Sequence, residues 1–167
     1  DIRSVRYINQ CHRIKFKNSG IEVAQVFTRN RKSLNTFITG CQPSVITDIK
    51  LFDSSLDLII IATPDDSIEQ IAKEILTKIP VVHTSGSVAI ANLKNRSNYG
   101  SFYPLQTLTT DHAGKSIPIP ILIEASNPTF EAKLIKLAET ISTMVSVHSS
   151  ENRKKLHLAA VVVNNFT

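Results

Sequence analysis

The sequence has few of the residues that small proteins use for covalent or metal cross-links. Only two cysteines, Cys11 and Cys41, occur in 167 residues, without a Cys-x-x-Cys pair and with only His12 near either of them in metal-ligand spacing. A disulfide scaffold needs more cysteines, and a zinc site needs a set of closely spaced ligands. We therefore expect no bound metal, and we expect a reducing, cytoplasmic location.

Long apolar runs are also missing. None approaches the roughly 20 residues of a membrane span, and Asp1-Ile2-Arg3 lacks the charged-then-apolar layout of a signal peptide. The composition, with 42% hydrophobic and 20% charged residues, is typical of a soluble globular protein. The sequence thus predicts one domain with room for a small appendage, and no membrane association.

Aromatic residues are scarce, although the chain is basic. They form 6% of the chain, there is no Trp, and the net charge is +5. Positive residues crowd the first fifth of the chain: Arg3, Arg6, Arg13, Lys15, Lys17, Arg29, Arg31 and Lys32. No motif that reads RNA or DNA accompanies them. We therefore expect no nucleic-acid partner, and interpret the charge as a basic face around a phosphate-bearing cofactor or as a plain solvated surface.

The segment 56–67, LDLIIIATPDDS, is the most informative part of the chain. A short uninterrupted apolar run is typical of a strand buried on both faces of a parallel sheet. Asp66 with Glu69 predicts a capping box, and the helix that follows has an apolar stripe at Ile68, Ile71, Ala72 and Ile75. A strand that meets a helix through a tight polar turn indicates the edge of a nucleotide site or an ordinary connection.

The rest of the chain alternates between strand and helix patterns. Gly20 is placed to end a first helix with a positive φ, and Pro118 and Pro120 predict that the strand over 117–125 is irregular or at a sheet edge. The pattern predicts strands at 21–27, 45–49, 56–61, 81–83, 100–104, 117–125 and 144–147, with helices at 7–18, 31–39, 68–75, 128–141 and from 150 onward. This alternation predicts a doubly wound α/β fold with a mostly parallel sheet.

Both ends of the sequence are unusual for a complete dinucleotide fold. Such a fold opens with a buried strand followed by Gly-x-Gly-x-x-Gly, but only three residues precede the segment 4–9, which has no glycine. At the other end an apolar helix is still running at Thr167. We therefore expect a fragment in which the first strand and the glycine loop are missing or atypical.

Several short motifs occur in an order that resembles a known family. They are ATPDD at 62–66, HTSGS at 83–87, GSFYPLQT at 100–107, EA at 124–125, ENRKKLHLAA at 151–160 and NF at 165–166. The chain from Asn18 onward is similar to a poorly characterised bacterial family of Rossmann-like NADP oxidoreductases with a C-terminal helical domain of unknown function. These are distant relatives of pyrroline-5-carboxylate reductase and of the 3-hydroxyisobutyrate and 6-phosphogluconate dehydrogenases.

The resemblance implies a division of the chain and a cofactor. It implies a Rossmann-like NADP-binding domain over 1–148 and, over 149–167, the first helix of a truncated C-terminal helical domain through which two copies form a homodimer. This sequence also departs from the family at two places. The glycine-rich loop is expected at 4–9, where the family's glycines are absent, and Tyr103 stands where many relatives have His.

The resemblance also implies that Thr28, Arg29 and Asn30, after the second strand, lie where the cofactor's 2′-phosphate is held. An Arg there binds phosphate through charge-assisted, bidentate hydrogen bonds, whereas NAD-preferring folds place an acid at this point. The alternative is that Arg29 is a surface arginine.

The remaining cofactor contacts are predicted in two turns. They are Ala62, Thr63, Pro64 and Asp65 after one strand, and Ser85 after the next. With Gly86 and Ser87, Ser85 would line the pocket near the nicotinamide, unless the segment is a simple Ser-Gly turn.

Hydride transfer also needs a group that supplies or removes a proton. His157 is the best candidate because the pKa of histidine lies near neutral pH, although packing is an alternative role. Asn165 is eight residues on, near the same helix face, and would bind substrate or stabilise a helix contact. Tyr103 would donate a proton or orient the substrate, whereas His83 is expected to be a core histidine with satisfied hydrogen bonds.

The sequence thus predicts an NADP-dependent oxidoreductase that transfers hydride to or from a small carbonyl, hydroxy-acid or imine substrate. Arg29, the turn at Thr63-Pro64-Asp65 and His157 favour this function. The missing glycine loop favours an alternative, namely a degenerate Rossmann fold that serves as an interaction or regulatory module without catalysis.

Overall fold

The computed structural model describes residues 4–6, 20–27, 43–76, 78–105 and 119–166. In these ranges the strands are β1 (Ser4–Arg6), β2 (Glu22–Val23), β3 (Gln25–Phe27), β4 (Ser44–Ile46), β5 (Leu58–Ile61), β6 (Val81–His83), β7 (Tyr99–Pro104), β8 (Ile121–Ala125) and β9 (Val145–Val147). The helices are α1 (Ile68–Glu74), α2 (Pro128–Glu139) and α3 (Ser150–Phe166). The helices expected over 7–18 and 31–39 lie outside the described residues.

The strands form a mostly parallel sheet in the order β2-β1-β5-β6-β7-β8-β9, in which β7 and β8 are the antiparallel pair. Only Ala24 separates β2 from β3, which pairs in parallel with β4. The succession from β4 through β3 and β2 to β1, and then β5, β6 and β7, has the strand order of a dinucleotide-binding fold. The predicted doubly wound, Rossmann-like α/β fold is confirmed.

Strand β1 lies second from one edge of this sheet. The first strand, expected to be missing or atypical, is present, and it is three residues long between β2 and β5. Ser4–Arg6 therefore belong to a strand, so the expectation that the glycine-rich loop corresponds to 4–9 is wrong for these three residues. The residues that follow Arg6, where a phosphate-binding loop would begin, lie outside the described part of the chain.

Apolar side chains cover the two faces of the central strands. On one face Leu58, Ile60, Val82 and Phe102 pack with α2, and on the other Ile59, Ile61 and Val81 pack with α1. Successive strand residues point to opposite faces, so each of these strands must be apolar on both sides. This explains the continuous apolar run of β5, whose four residues are all buried.

Strand β8 is in the interior of the sheet, between β7 and β9, so the prediction of an edge strand is wrong. The regular strand begins at Ile121, after Pro120, and the Pro120 carbonyl accepts a hydrogen bond from Leu105 N–H. Pro120 therefore precedes the regular strand and contributes only its carbonyl, so its missing N–H does not interrupt the pairing of β7 with β8. Pro118 is outside the described residues.

The helix starts and turns follow the predictions in part. Asn127 accepts a hydrogen bond from Phe130 N–H at 2.9 Å and caps α2, and Gly20 has φ 73° as expected. The capping box at Asp66 and Glu69 is wrong. A 3₁₀ turn over Asp65–Ser67 precedes α1, which has no side-chain cap, and Glu69 pairs instead with Lys73. None of the described helices is long and apolar enough to cross a membrane.

Candidate active site

Several predicted site residues lie at the carboxyl ends of β5, β6 and β7. Ile61 at the end of β5 is in register with His83 at the end of β6, and His83 is in register with Ser101 of β7. Tyr103 is two residues further along and points to the same face as Ser101. Because parallel strands end at one edge of a sheet, the turns after β5 and β6 lie beside Tyr103, at the place where open α/β sheets bind ligands.

Tyr103 and His157 form the central pair of this site. The Tyr103 hydroxyl is 2.7 Å from His157 Nδ1, and the two rings meet edge to face with centroids 5.6 Å apart. Gly86 supplies the space for the imidazole. A Cβ at Gly86 would lie 2.5 Å from His157 Cγ and 2.7 Å from Nδ1, closer than non-bonded atoms approach. The structure thus brings together two predicted catalytic residues that are 54 positions apart.

The electrostatic surroundings keep Tyr103 protonated. Burial raises the pKa of its hydroxyl above the usual 10, and the nearby Asp65 carboxylate raises it further, while Arg153 opposes the shift. In the tautomer in which the Tyr103 hydroxyl donates to Nδ1, the ring proton of His157 lies on Nε2. The pair can therefore present an Nε2–H group to a substrate oxygen or nitrogen.

The turn after β6 is held by a connected set of hydrogen bonds. The Ser85 hydroxyl accepts from the N–H groups of Ser87 and Val88 at 3.1 and 3.0 Å, and the Ser87 hydroxyl donates to Asp65 Oδ2. These bonds connect the turn after β6 to the turn after β5, so the predicted cofactor residues Asp65 and Ser85 belong to one network. Gly86 thereby has a fixed position under His157.

His83 differs from the expectation of a satisfied core histidine. It is completely buried, and its Nδ1 accepts from Ser85 N–H at 3.2 Å, but its Nε2 has no partner among the described residues. Burial lowers the pKa of His83 to about 3, and the positive charge of Arg153 acts in the same direction. The ring is therefore neutral at physiological pH and carries its proton on Nε2.

The sequence reasoning missed the ion pair of Arg153 and Glu124. The Arg153 side chain is completely buried, and its guanidinium donates to Glu124 Oε2 and to the Val88 carbonyl. Arg153 lies one helical turn before His157, so this pair fixes the first turns of α3 over the sheet. The sequence shows that Arg153 and His157 are four positions apart on one helix, but it does not show that Glu124 is the partner of Arg153.

Thr63 borders an apolar hollow near the end of β5. Its hydroxyl is buried without a partner among the described residues. The hollow is lined by Phe27, Ile59, Ile60, Ile61, Thr63, Ile71 and Ile75. The predicted residues Ala62 and Pro64 flank Thr63 in the same turn, so the turn after β5 has an apolar hollow on one side and Asp65 on the other.

Other predicted residues lie beyond what the structure describes. Thr28, Arg29 and Asn30 are outside the described residues. Asn165 lies in the last turn of α3, and its side chain is not described. The placement of the 2′-phosphate site and the role of Asn165 therefore remain predictions.

Comparison with known proteins supports the same family from sequence and from structure. The model of a domain of unknown function (DUF2520) matches residues 119–167, which include β8, α2, β9 and α3. A crystal structure described as a "putative NADP oxidoreductase" from Bacteroides fragilis has 28% identity and a TM-score of 0.89, with 99% of this chain and 68% of that chain covered. The expected family resemblance is confirmed.

More distant solved structures share the fold of this chain. Prephenate dehydrogenase from A. aeolicus, solved with hydroxyphenyl propionate and NAD+, has a TM-score of 0.72 at 17% identity over 99% of this chain and 69% of that chain. Pyrroline carboxylate reductase from Plasmodium falciparum, solved with NADP, has a TM-score of 0.65 at 12% identity over 98% and 66%. The chain thus spans about two thirds of these structures. No curated protein matches the sequence.

Proposed function

We propose that the chain is the cofactor-binding part of an NADP-dependent oxidoreductase that transfers hydride to or from a small carbonyl, hydroxy-acid or imine substrate. The observation that carries the proposal is the hydrogen bond between the Tyr103 hydroxyl and His157 Nδ1, 2.7 Å long, beside the turns that follow β5 and β6. This pair, which would transfer the proton, lies at the edge where Rossmann-like folds bind dinucleotides.

The described residues fit a nicotinamide dinucleotide. The Thr63 hydroxyl, which is buried without a partner among the described residues, would bond to a polar group of the cofactor. Ala62, Pro64, Asp65 and Ser85 would form the remaining contacts of the two turns, and Thr28, Arg29 and Asn30 would hold the 2′-phosphate. When bound, the nicotinamide would supply or accept the hydride.

The chain's own contribution to the reaction is the proton. His157 Nε2–H would donate to the carbonyl oxygen or imine nitrogen of the substrate as hydride arrives, and would take the proton back in the reverse direction. Tyr103 would act as a positioning residue, since its hydroxyl fixes the tautomer and the orientation of the imidazole. Asn165 would bind a polar group of the substrate two helical turns further along α3.

The proposal is tested first by cofactor binding. NADPH fluorescence is titrated with the protein, in parallel with NADH and with the Arg29→Ala variant. We expect saturable binding that prefers NADPH, and a roughly tenfold or greater loss of NADPH affinity in the variant, because a charge-assisted Arg–phosphate contact contributes about 1.5–3 kcal/mol. NADH affinity should not change, since NADH lacks the 2′-phosphate.

The matched control is Lys136→Ala, which removes one positive charge from an exposed position of α2. It should leave NADPH binding as in the wild type. If Lys136→Ala and Arg29→Ala lose the same NADPH affinity, Arg29 acts only through the net charge of the protein and not through a specific contact with the phosphate. Absence of saturable NADPH binding would contradict the cofactor assignment.

A non-catalytic module is the second candidate, and one observation favours it. The first glycine after β1 is Gly20, so the chain lacks the glycines that let a backbone approach a pyrophosphate closely. In this case the fold would serve as an interaction or regulatory unit. NADPH binding separates the two candidates, because only the enzyme requires it.

The homodimer implied by the family resemblance is also part of the proposal. Helix α3 exposes large apolar side chains, including Leu158 at 63% and Val162 at 47%. A second copy packed on this helix would cover them. Light scattering coupled to size exclusion should give twice the mass of the chain, and a monomer at all concentrations would contradict the association.

A further inference from the structure

Three polar side chains form a row across the sheet beneath α3. His83 of β6 is in register with Ser101 of β7, and Ser101 is in register with Glu124 of β8. Side chains at register positions of neighbouring strands point to the same face and lie about 5 Å apart. The opposite face of these strands is packed with apolar residues against α2, so the row is a polar layer inside the protein.

Arg153 covers this row. One of its terminal nitrogens donates to Glu124 Oε2, and the other donates to the Val88 carbonyl and to the Ser150 hydroxyl. Both terminal nitrogens of the guanidinium are therefore occupied. The Nε–H group, which is buried, has no partner among the described residues.

Two further atoms of the row are in the same condition. His83 Nε2 and the Ser101 hydroxyl are buried and lack a partner in the described part of the chain, and His83, Ser101 and Arg153 each have 0% exposure. His83 Nε2 carries a proton, because Nδ1 accepts from Ser85 N–H. The layer thus contains two N–H donors that cannot bond to each other, and one hydroxyl able to donate or accept.

A single oxygen atom that accepts from both N–H groups would give each of them a hydrogen-bond partner. We propose that one water molecule is bound between β6, β7 and α3, where it accepts from His83 Nε2–H and Arg153 Nε–H and donates to Ser101 Oγ. Three hydrogen bonds are the usual number for a buried water. The complete burial of all three partners favours water over a larger ligand.

The bound water would have a structural consequence for the site above it. It links the end of β6 to Arg153, and Arg153 is one helical turn from His157. The water would therefore be part of the layer that holds α3 against Gly86, together with the Arg153–Glu124 pair. This inference does not depend on NADP binding, since all three atoms belong to buried side chains of the protein itself.

The first test is an NMR measurement on the wild-type chain labelled with ¹⁵N. We expect the His83 ring to show the Nε2–H tautomer, with a slowly exchanging proton and a cross-peak to a long-lived water in nuclear and rotating-frame Overhauser spectra. His148, which lies at the surface beside Ser146, is the internal control without a trapped water. A His83 Nε2–H signal without a water cross-peak would overturn the proposal.

The second test fills the site. Ser101→Val replaces the hydroxyl by methyl groups where the water would lie, so the water cross-peak should disappear and the melting temperature should fall.

Ser142→Ala is the control, because it also removes a buried hydroxyl, one that bonds to the Ile119 carbonyl at 2.6 Å. It should leave the His83 signal intact. A Ser101→Val chain as stable as the wild type, or one that keeps the cross-peak, would overturn the proposal. If Ser101→Val does not fold, the wild-type spectrum decides alone.

Discussion

The two faces of β7 show how one strand serves two purposes. Phe102 points into the apolar cluster under α2, whereas Ser101 and Tyr103 point to the side where α3 lies. On the apolar face, packing alone decides which residues fit. On the polar face, each side chain depends on a particular partner: Tyr103 contacts His157, and the neighbouring Glu124 holds Arg153. The apolar face therefore contributes stability through packing, whereas the polar face contributes through particular pairs of side chains that also fix the geometry of the site.

The largest effect is expected on the apolar face. Phe102→Ala should lower the free energy of unfolding by about 4 kcal/mol, because it removes a completely buried aromatic ring and leaves a cavity. Urea unfolding measures the loss. Leu51→Ala, at a side chain that is 62% exposed, is the control and should change little. A loss of less than about 1 kcal/mol for Phe102→Ala would contradict the assignment of this face to stability.

The buried ion pair of the polar face should follow. Glu124→Ala leaves the Arg153 guanidinium buried without its carboxylate, which is expected to lower the free energy of unfolding by roughly 3 kcal/mol. The control is Glu151→Ala, on the same helix as Arg153. Glu151 forms an exposed ion pair with Lys155 at 2.7 Å, and such pairs contribute little to stability. Equal losses for the two variants would mean that burial of the Arg153 pair has no special importance.

Gly86→Ala is a sharper test of the polar face. The added methyl would lie 2.5–2.7 Å from the His157 ring, so we expect a loss of about 2 kcal/mol and separation of His157 from Tyr103. A double-mutant cycle with His157→Ala identifies the cause, because removal of the ring should relieve the strain. If Gly86→Ala costs the same with and without the imidazole, the contact between Gly86 and His157 is not the reason for the glycine.

The smallest effect is a pH dependence that belongs to His83. Its pKa is about 3 in the folded protein and 6.5 in the unfolded chain, so below pH 6.5 the unfolded state binds one more proton. The contribution of the neutral His83 to the free energy of unfolding is complete above pH 6.5 and is lost as the pH falls toward 3. Between pH 7.5 and 5.5 the wild type should lose about 1.4 kcal/mol more than His83→Gln. The free energy of unfolding of both proteins is measured by urea denaturation at each pH. If it changes with pH in the same way in the wild type and in His83→Gln, His83 is not a neutral, buried group.

Much of the fold was predictable because it depends on local patterns. The apolar run of β5, the strand Val81–His83 and the Asn127-Pro128 start of α2 were all predicted close to their observed positions. The predicted capping box of α1 was wrong, because Asp66 belongs to the 3₁₀ turn over Asp65–Ser67 and α1 has no side-chain cap. The interior position of β8 was also missed, because strand order is a property of the whole sheet.

The candidate site was predictable in residue type but not in arrangement. Tyr103, His157, Asp65 and Ser85 were named from motifs, and the structure brings them to one edge of the sheet. The role of Gly86 as the floor under His157, and the Arg153–Glu124 pair, were not predicted. Both depend on contacts between residues far apart in the chain, 71 positions for Gly86 and His157 by their numbering and 29 for Arg153 and Glu124.

The sequence by itself determined the alternation of strands and helices, the doubly wound fold class and the family resemblance, because hydrophobic periodicity and short motifs are local properties of the chain. Only the tertiary structure decided which side chains meet. The register of β6, β7 and β8 aligned His83, Ser101 and Glu124, and the packing of α3 then placed Arg153 over that row and His157 against Gly86. Strand register and helix packing are set by non-local contacts that no sequence window contains.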